Sequence, residues 1–157
     1  MILIDANLLI YAIDSASPHH DAARRWLEKV LSSSDHVGLT WGVVLAFLRI
    51  VTHPAVVRHP LSPEAALEYL DSWLAQPYVQ TVVPGEKHWL ILRNLLRSSG
   101  TAGNLTSDAH LAALALELDC EIYSSDHDFK RFHGVKHVNP LEKQPSRTHP
   151  VGSRNSA

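Results

Sequence analysis

Three aspartates stand where predicted strands end or helices begin: Asp5, Asp108 and Asp126. Asp5 follows the apolar run MILI, Asp126 ends the run CEIYSSD, and Asp108 lies in the first turn of SDAHLAALALEL. Taken singly, each carboxylate is explained as a helix cap or as a charge that complements a helix dipole. Taken together, they raise the question of a shared acidic site.

The carboxyl ends of parallel strands meet at one edge of a sheet, and ligands of open α/β sheets bind in the crevice there. Asp5 and Asp126 are expected at that edge, with Asp108 facing them from the start of its helix. Three converging carboxylates repel one another unless a cation or protons intervene. Mg²⁺ prefers oxygen ligands, and such a site could activate water against a phosphodiester.

Short apolar runs alternate with longer helical patterns along the chain. This alternation predicts an α/β fold with a central, mostly parallel sheet covered by helices on both faces. The predicted strands are MILI, HVGL, VQTVV, the start of CEIYSSD and the end of DFKRFHGVKHVNP. The predicted helices are NLLIYAID, SPHHDAARRWLEKVL, WGVVLAFLRIVTH, SPEAALEYLDSWLAQP, PGEKHWLILRNLLRSSG and SDAHLAALALEL.

Helix starts carry residues that are typical of N-caps. Ser17 and Ser62 each precede a proline, which suits the first helical turn, and Thr106 or Ser107 is expected to cap the helix of Asp108. Residues 1–140 are predicted to form one domain. The remainder, 141–157, lacks apolar periodicity and is predicted to be a disordered tail.

Composition narrows the classes of function. The 157 residues carry a net charge of −2, so nucleic acid would have to bind through a local basic patch. Cys120 is the only cysteine, which rules out an internal disulfide and fits a reducing compartment. Because it lies on a predicted strand, it is expected to fill space in the core. Without a signal-like N-terminus or a run of about 20 apolar residues, a cytoplasmic protein without membrane contact is predicted. The 11 histidines show no metal-binding spacing.

The segment LIDANLLIYA, together with SDAHLAALALELDCEIYSSDHDFKRFHGVKHVNP, resembles the PIN-domain ribonucleases, and more closely the VapC-type toxins of toxin–antitoxin pairs. The resemblance runs from Met1 to about Pro140. It implies a three-layer PIN-like fold and endonucleolytic cleavage of RNA, often transfer or ribosomal RNA. It further implies dependence on Mg²⁺ or Mn²⁺, with products that carry 5′-phosphate and 3′-hydroxyl ends.

The same resemblance assigns roles to individual residues. Asp5, Asp108 and Asp126 match the family's catalytic, metal-binding acids, and Asp128 matches an additional acid in the D-x-D-F segment. Asn7 matches a polar position that steadies the first aspartate by hydrogen bonding. Both supporting residues have a structural alternative: Asn7 could support a turn, and Asp128 could cap the segment DFKRF.

One position departs from the family pattern. Family members carry a glutamate in an EFLR-like segment, whereas VVLAFLRIVTH places Ala46 there, followed by the matching residues Phe47, Leu48 and Arg49. Alanine is an excellent helix former, so the fold should tolerate it. The loss of one acid should weaken metal binding, and the activity of this chain is predicted to be impaired. The alanine could be natural, or engineered to let cells tolerate a toxic nuclease.

RNA binding requires cations near the acidic crevice. Arg49 is a candidate for substrate binding, and Lys130 and Arg131 are further candidates that could equally be solvated surface charges. The resemblance also implies a homodimer and an antitoxin whose C-terminal segment covers the site. The helices VVLAFLRIV and EAALEYLDSWLA could offer that partner a groove, or could be ordinary core helices.

An α/β domain with an acidic pocket could also serve other functions. A phosphoryl-accepting receiver would need a lysine after a late strand, where the chain reads SSDHDF. A phosphatase that forms an aspartyl-phosphate would need two aspartates at the first strand end, where LIDANLL supplies one. The remaining alternative is a catalytically silent PIN-like module that binds RNA or antitoxin, which metal-dependent RNA cleavage would distinguish from the enzyme.

Overall fold

The computed structural model describes residues 1–100 and 103–142. Within them, a five-stranded sheet has the order β3-β2-β1-β4-β5, and each neighbouring pair of strands is parallel. The strands are β1 (Ile2–Ile4), β2 (Val37–Thr40), β3 (Val79–Val82), β4 (Glu121–Tyr123) and β5 (Lys136–Val138). The predicted parallel α/β sheet is confirmed.

Helices connect the strands and cover both faces of the sheet, which gives the expected three-layer PIN-like architecture. In the described part of the chain they are α1 (Ala6–Ile13), α2 (His20–Leu31), α3 (Trp41–Val51), α4 (Pro63–Leu74), α5 (His88–Ser99) and α6 (Thr106–Glu117). No helix there is long and apolar enough to cross a membrane. The predicted tail over 141–157 falls outside the described residues, except for its first two.

The strand order determines where the ligand-binding crevice of the sheet lies. From β1 the chain moves outward through β2 and β3, then returns to add β4 and β5 on the other side of β1. The direction therefore reverses between β1 and β4, and the topological switch point of the sheet lies at the carboxyl ends of these two strands. Their register aligns Ile4 with Tyr123, so the residues that follow each strand emerge side by side.

Apolar side chains from the sheet and both helical layers form the core. Leu3, Ile4 and Ile122 are fully buried in the central strands, and Phe47 of α3 and Leu114 of α6 pack from the helices. α6 is buried over most of its circumference, and its many alanines let it lie close to its neighbours. Cys120 is buried, as expected for a core residue.

Two of the predicted helix caps differ in the structure. Ser62 caps α4 by accepting a hydrogen bond from the Ala65 amide, as predicted. Ser17 does not cap α2, because the chain turns once more after it: Ser17 accepts from the His19 amide, and α2 begins at His20. Neither Thr106 nor Ser107 caps α6, since a 3₁₀ turn runs directly into the helix and places Leu105 at the N-cap.

Replacing Gly38 with alanine should lower the free energy of unfolding by about 1–3 kcal/mol, the usual cost of overpacking a core. A Cβ on Gly38 would lie 2.6 Å from Leu3 Cδ2 and 2.7 Å from Val82 Cγ2, because the side chains of both neighbouring strands close over it. Urea denaturation followed by circular dichroism measures the change.

Gly42→Ala is the matched control. A Cβ there would meet His110 Cδ2 and Thr40 Oγ1 at 3.8 Å, which is ordinary contact. Since Gly42 lies within α3, alanine should instead stabilise by up to about 1 kcal/mol through helix propensity. Equal effects of the two substitutions would contradict the packing argument.

Candidate metal centre and active site

Asp5 is anchored where β1 passes into α1. It is the N-cap of α1, and its Oδ1 accepts a hydrogen bond from the Ala6 amide at 2.7 Å. Its Oδ2 accepts a hydrogen bond from the Ser124 hydroxyl at 2.6 Å. Both carboxylate oxygens are therefore held in place by donors within the protein.

Ser124 connects the ends of the two central strands. This fully buried residue follows β4, and its hydroxyl donates to Asp5 while accepting from the Asn7 side-chain amide at 3.0 Å and from the Asp126 backbone amide at 2.9 Å. Ser124 was not among the residues predicted from the sequence. Its only signal was a small polar residue directly after an apolar strand.

Asn7 supports Asp5 indirectly. Its side-chain amide donates to the Ser124 hydroxyl rather than to the carboxylate, and its Oδ1 accepts from the Ser125 amide at 3.4 Å. The expected hydrogen bond from Asn7 to Asp5 therefore runs through Ser124. Asn7 thus links α1 to the loop after β4. A residue that only supported a local turn would not make these long-range hydrogen bonds.

Asp108, Asp126 and Asp128 form a group of carboxylates, each with an oxygen within 4.8 Å of the others. Asp126 caps the 3₁₀ helix His127–Arg131 by accepting from the Asp128 amide at 2.8 Å, and this short cap holds the two aspartates together. Asp108 approaches from the first turn of α6. The metal-binding acids predicted from the sequence were Asp5, Asp108 and Asp126. Asp5 lies beside this group and is not among its three members.

Burial and repulsion between carboxylates both change the pKa values of aspartates in the site. Burial, followed by the charges of Asp5, Asp126 and Asp128, raises the pKa of Asp108 from its ordinary 3.8 to about 6. Burial also raises the pKa of Asp5, while the hydrogen bonds from Ser124 and Ala6 oppose that rise. The site thus disfavours the charged form of Asp108, first through burial and then through neighbouring carboxylates, and carboxylate oxygens are the ligands that Mg²⁺ prefers.

A cavity of about 350 Å³ opens beside Asp5 and Asp108. Apolar side chains of α3, α5 and α6 form much of its wall, and Ala46 of α3 lines it as well. An acidic side chain at position 46 would therefore enter the same cavity as Asp5 and Asp108. The position where the family pattern departs thus belongs to the acidic site.

His110 also lines this cavity, and its partner was not expected from the sequence. His110 Nδ1 lies 2.9 Å from His88 Nε2, and His88 Nδ1 lies 3.6 Å from Glu117 Oε2. Burial, and then His88, lowers the pKa of His110. Among the residues that the structure describes, the group of possible metal ligands contains no histidine.

The candidate cations differ in their surroundings. Arg49 is exposed on α3 and borders a shallow apolar groove with Leu45 and Leu67, outside the acidic cavity. Arg131 pairs through Nε with Asp128 Oδ1 at 3.1 Å, which brings one positive charge to the carboxylate group. Lys130 is exposed on the same 3₁₀ helix.

Comparisons with known proteins agree with this architecture. Residues 2–135 match the model of the PIN domain family. The chain is 44% identical to Ribonuclease VapC37 of Mycobacterium tuberculosis, over 89% of this chain and 97% of the relative. It is 41% identical to Ribonuclease VapC33 of the same species, over 91% of this chain and 100% of the relative.

Solved structures share the fold at lower identity. VapBC2 from Rickettsia felis, bound to a DNA fragment from its promoter, has a TM-score of 0.66 at 20% identity, covering 88% of this chain and 98% of that one. Mycobacterium tuberculosis VapC20, described as a Sarcin-Ricin loop cleaving toxin, has a TM-score of 0.63 at 18% identity, covering 87% and 99%.

Asp108→Asn should stabilise the metal-free protein at pH 7.5 by about 1 kcal/mol, a figure reduced for solvent screening of a half-exposed group. The folded-state pKa of Asp108 lies above its ordinary value, so its ionisation destabilises the folded protein. This penalty is absent below about pH 4 and complete above about pH 7. The gain in thermal stability in EDTA should therefore disappear at pH 4.

Asp71→Asn, on an exposed face of α4, is the matched control and should show no such pH dependence. Mg²⁺ should reverse the order by stabilising the parent more than Asp108→Asn, since a ligand that binds only the folded state raises its stability. An Asp108→Asn variant that is less stable than the parent in EDTA at pH 7.5 would contradict the repulsion argument.

Proposed function

The chain belongs to the PIN domain family, among its VapC ribonucleases, and from this membership we propose that it is a Mg²⁺-dependent endoribonuclease, the toxin of a toxin–antitoxin pair. The observation that carries the proposal is the group of carboxylates of Asp108, Asp126 and Asp128 at the topological switch point. Relatives that align over nearly their whole length are named ribonucleases, and a structural neighbour is described as a Sarcin-Ricin loop cleaving toxin.

In this proposal Asp5, Asp108 and Asp126 hold the cation and are the catalytic acids, and Asp128, which is grouped with Asp108 and Asp126, is a supporting acid of the site. When bound, Mg²⁺, or Mn²⁺ in its place, would polarise the scissile phosphate and make a bound water more acidic. Ser124 and Asn7 keep the Asp5 carboxylate in one orientation through their hydrogen bonds. The Asp128 amide does the same for the Asp126 carboxylate, and Arg131 pairs with the carboxylate of Asp128.

The chain's own residues also prepare the site for hydrolysis. Apolar side chains form much of the cavity wall and lower the local dielectric constant, which strengthens the interaction of the carboxylates with any bound charge. Preorganised carboxylates need little rearrangement when substrate enters, and this reduces the barrier to reaction. The products would carry 5′-phosphate and 3′-hydroxyl ends, as the family resemblance implies.

We propose further that Ala46 impairs this activity. It stands where the family pattern has a glutamate, and its side chain lines the cavity that Asp5 and Asp108 also line. Ala46 favours the second candidate function as well, that of a silent module which binds RNA or antitoxin without cutting. Salt-dependent RNA binding without cleavage would support the silent module.

The proposed substrate is transfer or ribosomal RNA, and the proposed location is the cytoplasm. Structural neighbours are VapBC and FitAB assemblies, which supports a cognate antitoxin as partner. A homodimer is part of the proposal. Large apolar side chains stand exposed on α3, α4 and α5, among them Leu45, Leu67 and Trp89, and offer surfaces for both kinds of partner. Arg49, beside Leu45, is proposed to contact RNA.

Ala46→Glu should increase RNA cleavage by about 10- to 100-fold, the usual effect of a group that supports a metal site. The added carboxylate would join Asp5 and Asp108 in the cavity and strengthen cation binding. The measurement incubates labelled total transfer RNA and ribosomal RNA with parent or variant in Mg²⁺, Mn²⁺ or EDTA.

Ala22→Glu is the matched control, because it makes the same substitution at an exposed position of α2, away from the cavity and from Arg49. It should leave cleavage at the parent level. The proposal fails if Ala46→Glu cuts neither RNA pool, or if the cleavage it produces survives EDTA.

A further inference from the structure

A row of three side chains leads from the start of α5 to the acidic cavity. Glu117, at the end of α6, accepts backbone hydrogen bonds from Gly85 and Lys87, both at 3.0 Å. Its Oε2 lies 3.6 Å from His88 Nδ1, a charge–dipole contact rather than a hydrogen bond. His88 Nε2 in turn lies 2.9 Å from His110 Nδ1, within hydrogen-bond distance.

The row determines where the protons sit on the two rings. The Glu117 carboxylate favours a proton on the facing His88 Nδ1, so the Nε2 of neutral His88 carries a lone pair. Two nitrogens that share a hydrogen bond need one donor and one acceptor. His110 Nδ1 must then donate to His88, and the Nε2 of neutral His110 is left as an acceptor.

His110 lines the cavity, and the edge of its ring away from His88 lies beside Gly42, which lines the same cavity. In an imidazole ring Nδ1 lies opposite the bond between Cδ2 and Nε2, so the edge away from His88 carries the acceptor. His110 lines the cavity together with Gly42, and a Cβ on Gly42 would lie 3.8 Å from His110 Cδ2. Among the described residues, His88 provides the hydrogen bond that His110 makes.

We propose that His110 is a specificity-determining residue whose Nε2 accepts a hydrogen bond from a ribose 2′-hydroxyl of RNA in the cavity, while Glu117 and His88 are positioning residues that fix its tautomer. The inference rests on the proposed ribonuclease function and names the part of the substrate that this cavity recognises. The unprotonated Nε2 of His110 repels phosphate oxygens, which are acceptors themselves. Its hydrogen-bond partner on the substrate must therefore be a donor.

The geometry favours the ribose as the source of that donor. The cavity also contains Asp5 and Asp108, so a nucleotide there would have its phosphate at the carboxylate group. The 2′-hydroxyl is attached to the same sugar as the phosphate ester, whereas the donors of the base lie beyond the sugar. This hydroxyl is also the group by which a protein distinguishes RNA from DNA.

A purely structural role is the competing explanation, because the bond between His88 and His110 also joins α5 to α6. His110→Asn separates the two roles. The asparagine amide can occupy the place of Nδ1 and keep the bond to His88, but it has no atom at the place of Nε2. A structural role predicts that this variant behaves like the parent towards RNA.

The first test measures the tautomer on the full-length chain without nucleic acid. Long-range ¹H–¹⁵N spectra of the histidine side chains, assigned by comparison with His110→Asn, should show His110 protonated at Nδ1 and bare at Nε2. A neutral His110 protonated at Nε2 would overturn the inference, whatever the protein does to RNA.

The second test measures binding in Ca²⁺, a cation with oxygen ligands that can bring phosphate to the carboxylates, and a gel checks that the RNA stays uncut. The probes are a labelled mixed-sequence RNA stem–loop and the same stem–loop with 2′-fluoro sugars, which keep the sugar pucker but lack the hydroxyl donor. The parent should bind the RNA about 3- to 10-fold more tightly, the worth of one hydrogen bond. His110→Asn should lose that preference while its melting temperature stays near that of the parent.

The outcomes separate the two proposals. If the parent binds both stem–loops equally, or His110→Asn keeps the full preference, the 2′-hydroxyl inference is overturned while the ribonuclease proposal stands. If the parent binds neither stem–loop and Ala46→Glu cuts no RNA, the proposed function fails and the inference fails with it.

Discussion

Negative charge gathers at the carboxyl ends of β1 and β4, and the local structure is organised around keeping it there. The reversal of strand order makes this edge the crevice of the sheet, and four aspartates reach it from three elements: the start of α1, the first turn of α6 and the 3₁₀ helix after β4. Protein donors hold the innermost of them, Asp5, through both oxygens. Asp108, Asp126 and Asp128 remain grouped with less compensation, and a cation would relieve their repulsion.

The Ser124 hydroxyl makes this arrangement possible because it uses its full hydrogen-bonding capacity. A hydroxyl has one donor and two acceptor sites, and here they serve Asp5, Asn7 and the Asp126 amide. Since Ser124 is fully buried, each of these bonds forms in a low-dielectric setting, where a missing partner would be costly. One side chain thereby fixes Asp5 after β1 relative to Asp126 after β4.

Sequence patterns predicted the elements well because their periodicity reflects burial. They also placed Asp5 and Asp126 at one edge, since parallel strands end together. They could not identify Ser124, whose bonds join residues 117 and 119 positions apart, because such pairing depends on the register of β1 with β4. The contact of His88 with His110 was missed for the same kind of reason: it depends on how α5 packs against α6. Asp128 entered through family resemblance alone, and its cap with Asp126 now supplies a physical reason.

An alanine at position 46 has two opposed effects in this electrostatic arrangement. A glutamate at that position would add a further negative charge to a cavity in which burial and neighbouring carboxylates already raise the pKa of Asp108. Alanine therefore lowers the repulsion in the metal-free protein and favours helix α3, but it removes a group that would attract a cation. Stability and cation binding are thus opposed at one position, as is common where an active site concentrates like charges. The fold does not need a carboxylate at position 46, because the Ser124 network holds Asp5 and Asp126 without it.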